Sequence, residues 1–458
     1  MKKMLIIFLG LISVSAFSQI NLSDDVFKAV NLALHKDVDL ENQKIDVEKL
    51  EIERKSILSK YIPKVEATAL YGYLNSNGNL DIPTINLAIT GFNLFQGSTD
   101  FSTNGQAFHG GIMAKTVLFS GGQIYNGAKA LHFKNIGNGL MIDVKAGDVI
   151  KDVILSFDQL QLLNTAEKLI DESEKRLNKE TERVEKAIAL GLAIPYDRDK
   201  IKLASLELET KRTDVQNKKQ LLALKINQTT GLSVDEILSA NHQVEPIVIL
   251  EDLSNENRNE IKALEAYQQA TEFAIKKEKG SLLPTLAAFG GYSYTSLLNT
   301  HLGTNTPLTH KHVDLKVNHL TMNPTWMVGV AMKWELFAGF ERNHKIEEAK
   351  LNAKQIENKL IDTREKTALQ LQKNKLEYQT ALQQVNIAKQ REVIAQNNNS
   401  LAEKQYKAGL IGVTDRISAE NDIYKESLNK IETIIKQRQI AIETYQSAGA
   451  LSTYIISK

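Results

Sequence analysis

The side chains best placed for chemistry are acids in two matching contexts, Asp197-Arg198 and Asp415-Arg416, with Asp199 close behind the first. Carboxylates repeated around a symmetry axis form a ring that favours cations and disfavours anions. The same acids stand where a helix would start, and the helix dipole favours an acid in a first turn. Both readings are open on sequence. His301, His310, His312 and His319 crowd one segment, and the alternation of His310 and His312 suits a divalent ion. A polar surface loop collects such pairs by composition alone, so no metal is expected. The chain has no cysteine, which removes disulfides, thiolate metal sites and a lipidated N-terminal Cys. No Gly-rich phosphate loop, HExxH or GxSxG occurs, so neither enzymatic activity nor a cofactor is expected. The formal net charge of +1 offers no basic footprint for nucleic acid.

The elements that must position the acids show a repeat. Leu118-Phe119-Ser120-Gly121 recurs as Leu336-Phe337-Ala338-Gly339, a shift of 218 positions. Gly191-Leu192 and Asp197-Arg198 recur as Gly409-Leu410 and Asp415-Arg416, and Gly231 recurs as Gly449, all at the same 218. Loops tolerate insertions, so one offset shared by separated anchors points to long rigid elements. Leu163, Ile170, Leu177 and Val184 lie seven apart, and their shifted counterparts are Ala381, Ala388, Ala395 and Ala402. Leu371, Tyr378 and Val385 supply a partner seam. Sustained seven-residue spacing argues for coiled-coil packing, and the alanines for close approach.

These signals divide the chain. Residues 1–18 are expected to be a secretory signal, with Lys2 and Lys3 before a short apolar run and small residues at Ala16 and Ser18. Residues 19–231 form a first repeat, 232–254 a linker and 255–458 a second repeat. Each repeat opens with a helix (22–61 and 255–282) that stops before Pro63 or Pro284. A β-hairpin follows (64–119 and 284–335), then a long helix (123–190 and 341–408), a turn, and a return helix (197–230 and 415–448). At 1.5 Å per residue each long helix would reach about 100 Å, so it must project. Gly121, Gly122 and Gly339 read as backbone devices where strand turns into helix. The fold class is mainly α with a β-barrel part.

The strands alternate as membrane strands do. Val65, Ala67, Ala69, Tyr71 and Tyr73 share one face, as do Trp326, Val328, Val330, Met332 and Trp334. Trp326 and Trp334 are separated by about 26 Å at strand rise, close to the height of a lipid-facing band between aromatic girdles. Tyr71 and Tyr73 are placed in the same girdle. Segments 75–108 and 297–323, rich in Asn, Thr, Gly and Ser, are expected as long extracellular loops. Four strands cannot close a barrel, and an open edge is not viable in lipid. Three copies would supply twelve strands, within the known range of barrels.

The residues so far quoted resemble the TolC family of outer-membrane efflux proteins over essentially the whole mature chain. The resemblance rests on Leu22-Ser23 with Ala33-Leu34, on Pro63 and Pro284, on the junctions Leu118–Gly121 and Leu336–Gly339, and on the turns Gly191–Asp197 and Gly409–Asp415. It implies a homotrimer with a barrel in outer-membrane lipid and a helical tunnel through the periplasm. It further implies that Gly191, Leu192, Gly409 and Leu410 form tips that meet a periplasmic adaptor linked to an inner-membrane pump. The family's acids near these tips would correspond to Asp197 and Asp415, but a second acid near the second tip is replaced by Ser418. The glycines equally suit a helix C-cap. Two rival classes remain in view: an exported coiled-coil tether without a pore, and a barrel enzyme or receptor. The tether has no need of tryptophan-bounded strands, and the enzyme would need a polar site on them.

Overall fold

A computed structural model describes residues 20–81, 83, 85–86, 93–95, 98–250, 252–305, 312–449, 451 and 455–457. The expected signal segment and His310 lie outside the described residues. In chain order the elements are β1 (Ile20–Leu22), α1 (Asp24–Lys36), α2 (Val38–Leu58), β2 (Lys64–Asp81), β3 (Ile85–Asn86), β4 (Asn93–Phe95), β5 (Ser98–Ser120), α3 (Gln123–Ala189), α4 (Pro195–Thr230), α5 (Val234–Ser239), α6 (Asn259–Gly280), β6 (Thr285–Asn305), β7 (His312–Lys333), α7 (Glu341–Lys407), α8 (Val413–Ala448) and β8 (Ile455–Ser457). Helices α3 and α7 have 67 residues each, and α4 and α8 have 36 each. All four pairs of bounds differ by 218 positions. No helix among the described residues is long and apolar enough to cross a membrane.

The chain divides into two units. The first takes in residues 20–50, 133–268 and 354–458. Its seams follow the heptads. Leu163, Ile170, Leu177 and Val184 of α3 are buried against Ile201, Ala204, Leu208 and Val215 of α4. Ala381, Ala388, Ala395 and Ala402 of α7 are buried as well. A second core gathers the parallel pair β1–β8, α1, α5 and parts of α3, α7 and α8 around Phe157 and Tyr445.

The expected single helix over 22–61 is interrupted. Asp37 is extended, with ψ 115°. Its carboxylate accepts the Leu40 N–H at 2.8 Å, so it caps the start of a new helix. The linker also holds a helix, α5, started by a capping box between Ser233 and Glu236. Beyond it, side chains do the work of a strand partner. Gln437 Nε2 donates to the Ile247 carbonyl at 2.6 Å and its Oε1 accepts the Ile247 N–H at 3.0 Å. The Tyr378 hydroxyl accepts the Ile249 N–H at 2.8 Å.

The second unit, residues 51–132 and 269–353, is built on one antiparallel sheet of order β2–β5–β6–β7. Within it β2 and β7 each have a strand partner on one side only. The hairpins are longer than expected. Lys64↔Lys115 through Asp81↔Ser98 pair without a break, and β6 pairs β7 as far as Asn305↔His312. Much of 75–108 and 297–323, expected as loop, is therefore strand. Ladder pairing needs only backbone, whereas alternation shows only where the two faces meet different surroundings. Segments polar on both faces carry no such signal.

Candidate functional site

Residues opposite one another in an antiparallel ladder project to the same face. The register therefore sorts the sheet. Ala67, Ile112, Tyr292 and Trp326 form one row across all four strands. Val65, Ala69, Tyr71 and Tyr73 of β2 share that face with Phe108 and Ala114 of β5 and with Val328, Val330 and Met332 of β7. Phe108 and Tyr294 meet on it at a tilt of 56°, with ring centroids 6.2 Å apart. The face is exposed in the single chain, Trp326 and Val328 by 73% and 76%. Strand β7 ends at Lys333, so Trp334 lies just past it, where its indole N–H donates to the Leu282 carbonyl at 3.1 Å. The opposite face carries Lys64, Glu66, Thr68, Lys115, Ser293 and Thr295, with Leu70, Met113 and Met327 among them. On it the His109 ring and the Thr295 hydroxyl approach to 2.9 Å.

Junctions of strand and helix depend on left-handed backbone. Gly121 and Gly122 have φ 63° and 79°, and Gly339 has φ 55°. A Cβ on Gly121 would lie 2.1 Å from the Gly280 carbonyl oxygen, so only glycine fits.

The two tips share one construction. Gly191 and Gly409 both have φ 71°. The Leu192 N–H reaches the Ala187 carbonyl and the Gly191 N–H the Ile188 carbonyl, at 2.8 and 3.0 Å. Leu410 and Gly409 repeat this on Gln405 and Tyr406, at 2.9 and 3.0 Å. This is the Schellman motif. The apolar residue of that motif commonly folds back on its helix, yet Leu192 and Leu410 are 79% and 73% exposed. The glycines make the turns, and the leucines are left facing outward.

Asp197 and Asp415 do not begin the return helices, as expected, but stand third in each, after Pro195-Tyr196 and Val413-Thr414. A proline at the first position supplies the right φ and loses no needed N–H, so α4 starts earlier than the acid suggests. The helix ends are tied together, since Lys200 Nζ donates to Thr414 Oγ1 at 2.6 Å. The two acids thus share one end of the bundle. Asp197 is half-buried and Asp415 exposed. The Tyr406 hydroxyl beside them is pushed up by burial, then by the charges of Glu180 and Asp197. Asp199 is exposed and paired with Arg198 at 2.9 Å.

A buried ionic cluster just behind the second tip was missed. Arg416 donates to Asn399 Oδ1 at 2.7 Å and to Glu420 Oε2 at 3.3 Å, and its Nε lies 3.5 Å from Glu180 Oε1. Arg176 reaches Glu420 at 2.6 Å, and Arg183 reaches Glu180 at 3.0 Å. A signal for it existed. Glu420 occupies the inward series Val413, Glu420, Ser427 and Ile434, and Glu180 the inward series Ala166, Ser173 and Glu180. A charge in an apolar seam needs a buried partner. Asp158, held by His242 at 2.6 Å and Arg438 at 2.8 Å, is a second such cluster.

Of the histidines, His301 approaches Asp314 at 3.1 Å and His319 approaches Ser296 at 3.4 Å. Among the described residues no three potential ligands gather as a metal would need.

Residues 250–450 match the family model described as outer membrane efflux protein. No curated protein matches the chain. Several solved structures share its fold at low identity. The Campylobacter jejuni CmeC outer membrane channel is 15% identical, covering 93% of this chain and 86% of its own, with a TM-score of 0.70. The Neisseria gonorrhoeae MtrE outer membrane channel, in its open state, is 13% identical, with 96% and 94% covered and a TM-score of 0.68. A membrane protein from Pseudomonas aeruginosa is 12% identical, with 94% and 92% covered and a TM-score of 0.73.

Proposed function

We propose that the chain is a member of the outer membrane efflux protein family, whose model matches residues 250–450, and that three copies of it form a passive export duct in the outer membrane. The observation that carries this reading is the sheet. One face is apolar and aromatic across four strands, and two edges have no strand partner among the described residues. Lipid would cover the face, and sister copies would pair the edges into a twelve-stranded barrel. The helices support it. Alongside its buried alanines α7 exposes Ile387, Ile394 and Leu401, again seven apart, and α4 exposes Leu203, Leu206, Leu221 and Leu224. Two apolar series on one helix call for neighbours beyond the chain.

The matched bounds of the long helices support a duplicated unit, 19–231 and 255–458 around the linker 232–254. In this reading the helices form the periplasmic tunnel, and the tips at Gly191, Leu192, Gly409 and Leu410 dock a periplasmic adaptor that couples to an inner-membrane pump. Asp197 and Asp415, with Asp199 further out, set the charge of the mouth. The chain performs no catalysis in this scheme. A pore-free tether fits less well, since a coiled coil in water would gain nothing from an exposed aromatic sheet face.

Reconstitution in a planar bilayer tests the proposal. The expected result is discrete ion-conducting pores whose cation preference weakens in Asp197→Asn/Asp415→Asn. Protein that assembles but never conducts would remove the duct. Pores of unchanged selectivity in the double variant would leave the acids as helix-start residues only.

A further inference from the structure

We propose that the polar face of the sheet carries an anion-attracting collar, built from Lys64, Lys115 and Lys333, near the strand ends that adjoin the helices. The inference rests on the duct reading, in which that face lines the lumen. Register places the three ammonium groups on it. Lys64 stands directly opposite Lys115, and Lys333 opposite Thr285, on the side away from the row of Ala67, Ile112, Tyr292 and Trp326. All three are exposed. None forms an ion pair among the described residues, whereas many lysines of the helices pair at three- or four-residue spacing, such as Lys345 with Glu341 and Lys366 with Asp362.

Like charges directly opposed across a ladder repel one another, so nothing in folding favours the Lys64–Lys115 pair. A bound or passing anion relieves that repulsion. The carboxylates near the collar are Glu66, one inward position further along β2, and Glu335, two residues beyond Lys333. Three ammonium groups therefore outnumber two carboxylates in each copy. The next inward row, Thr68, Gly111, Ser293 and Thr325, carries no charge. The collar thus has the sign opposite to the acids of the tips. It attracts small anions and the carboxylate or phosphate groups of cargo after they have passed the mouth, in the way rings of Lys or Arg favour anions in other pores.

The test is the reversal potential of single pores in a KCl gradient, comparing the wild-type chain with Lys64→Gln/Lys115→Gln/Lys333→Gln. The ratio of chloride to potassium permeability should fall at least twofold at about 0.1 M salt. The difference should shrink near 1 M, where the screening length drops to about 3 Å. Should the triple variant fail to assemble, Lys333→Gln alone should shift the ratio in the same direction by less. Normal conductance with an unaltered ratio in the triple variant, or in Lys333→Gln when only that assembles, would overturn the collar and place the lysines against lipid headgroups. A wild-type chain that never conducts would overturn the duct reading and the collar together.

Discussion

Positions 218 apart carry nearly the same backbone and different chemistry. Arg198 and Arg416 follow equivalent aspartates, yet Arg198 is exposed on Asp199 while Arg416 is only 3% exposed among Glu180, Glu420 and Asn399. Gly121-Gly122 corresponds to Gly339-Phe340, and Phe340 keeps a left-handed φ of 66° without being glycine. Tip one exposes Leu190, Leu192, Ile194 and Tyr196, where tip two has Ala408, Leu410, Gly412 and Thr414. Backbone geometry is held by caps and seams, which both halves keep. Side chains outside those constraints have diverged, and there the halves take different parts.

Matched substitutions sharpen this contrast, beginning with the largest effect. Arg416→Met takes one of two arginine partners from each of the buried Glu180 and Glu420, which keep Arg183 and Arg176, and should cost about 3 kcal/mol of stability, the low end for breaking a buried pair. Arg198→Met should leave the unfolding transition of the detergent-solubilised protein where it was. Equal effects would mean that the burial difference carries no energy. Gly121→Ala meets the Gly280 carbonyl as well as a left-handed backbone and should cost about 3 kcal/mol in the same measurement. Gly339→Ala has open space and should cost only the backbone term, about 1–2 kcal/mol. Phe340→Gly relieves that same term and should stabilise by up to about 1 kcal/mol. Part of the gain is offset by losing the Phe337 ring, 5.6 Å away. The smallest effect is expected at the tips. Leu192→Ala and Leu410→Ala should both leave thermal unfolding unchanged, because neither leucine is packed. A drop at either would show that the leucine supports its turn.

The rigid parts of the molecule were readable because rigid parts impose periods. Heptads at Leu163 to Val184 and at Ala381 to Ala402 located the seams, and the glycines located the turns. Helix starts were less legible, since Pro195 and Val413 open the return helices two residues ahead of the acids that signalled them. The polar halves of the hairpins were not legible at all, because strands wet on both faces lose their alternation. The Arg416 cluster was hidden for a different reason. Glu180 and Glu420 at inward positions signal that buried partners are needed, but only packing brings Glu180 of α3 to Arg416 of α8.

Closure of the sheet by sister copies is the claim on which the duct depends, and engineered disulfides test it directly. The chain has no cysteine, so every bridge formed would be an introduced one. Thr68→Cys on the edge strand β2 is combined in turn with Thr325→Cys, Met327→Cys, Gly329→Cys and Ala331→Cys on the edge strand β7. A bridge forms only where Cα atoms come within about 4.4–6.8 Å, so one register should react. The account predicts a covalent ladder that stops at three chains. Chains that stay monomeric at every register, or a ladder that runs on past three, would contradict it.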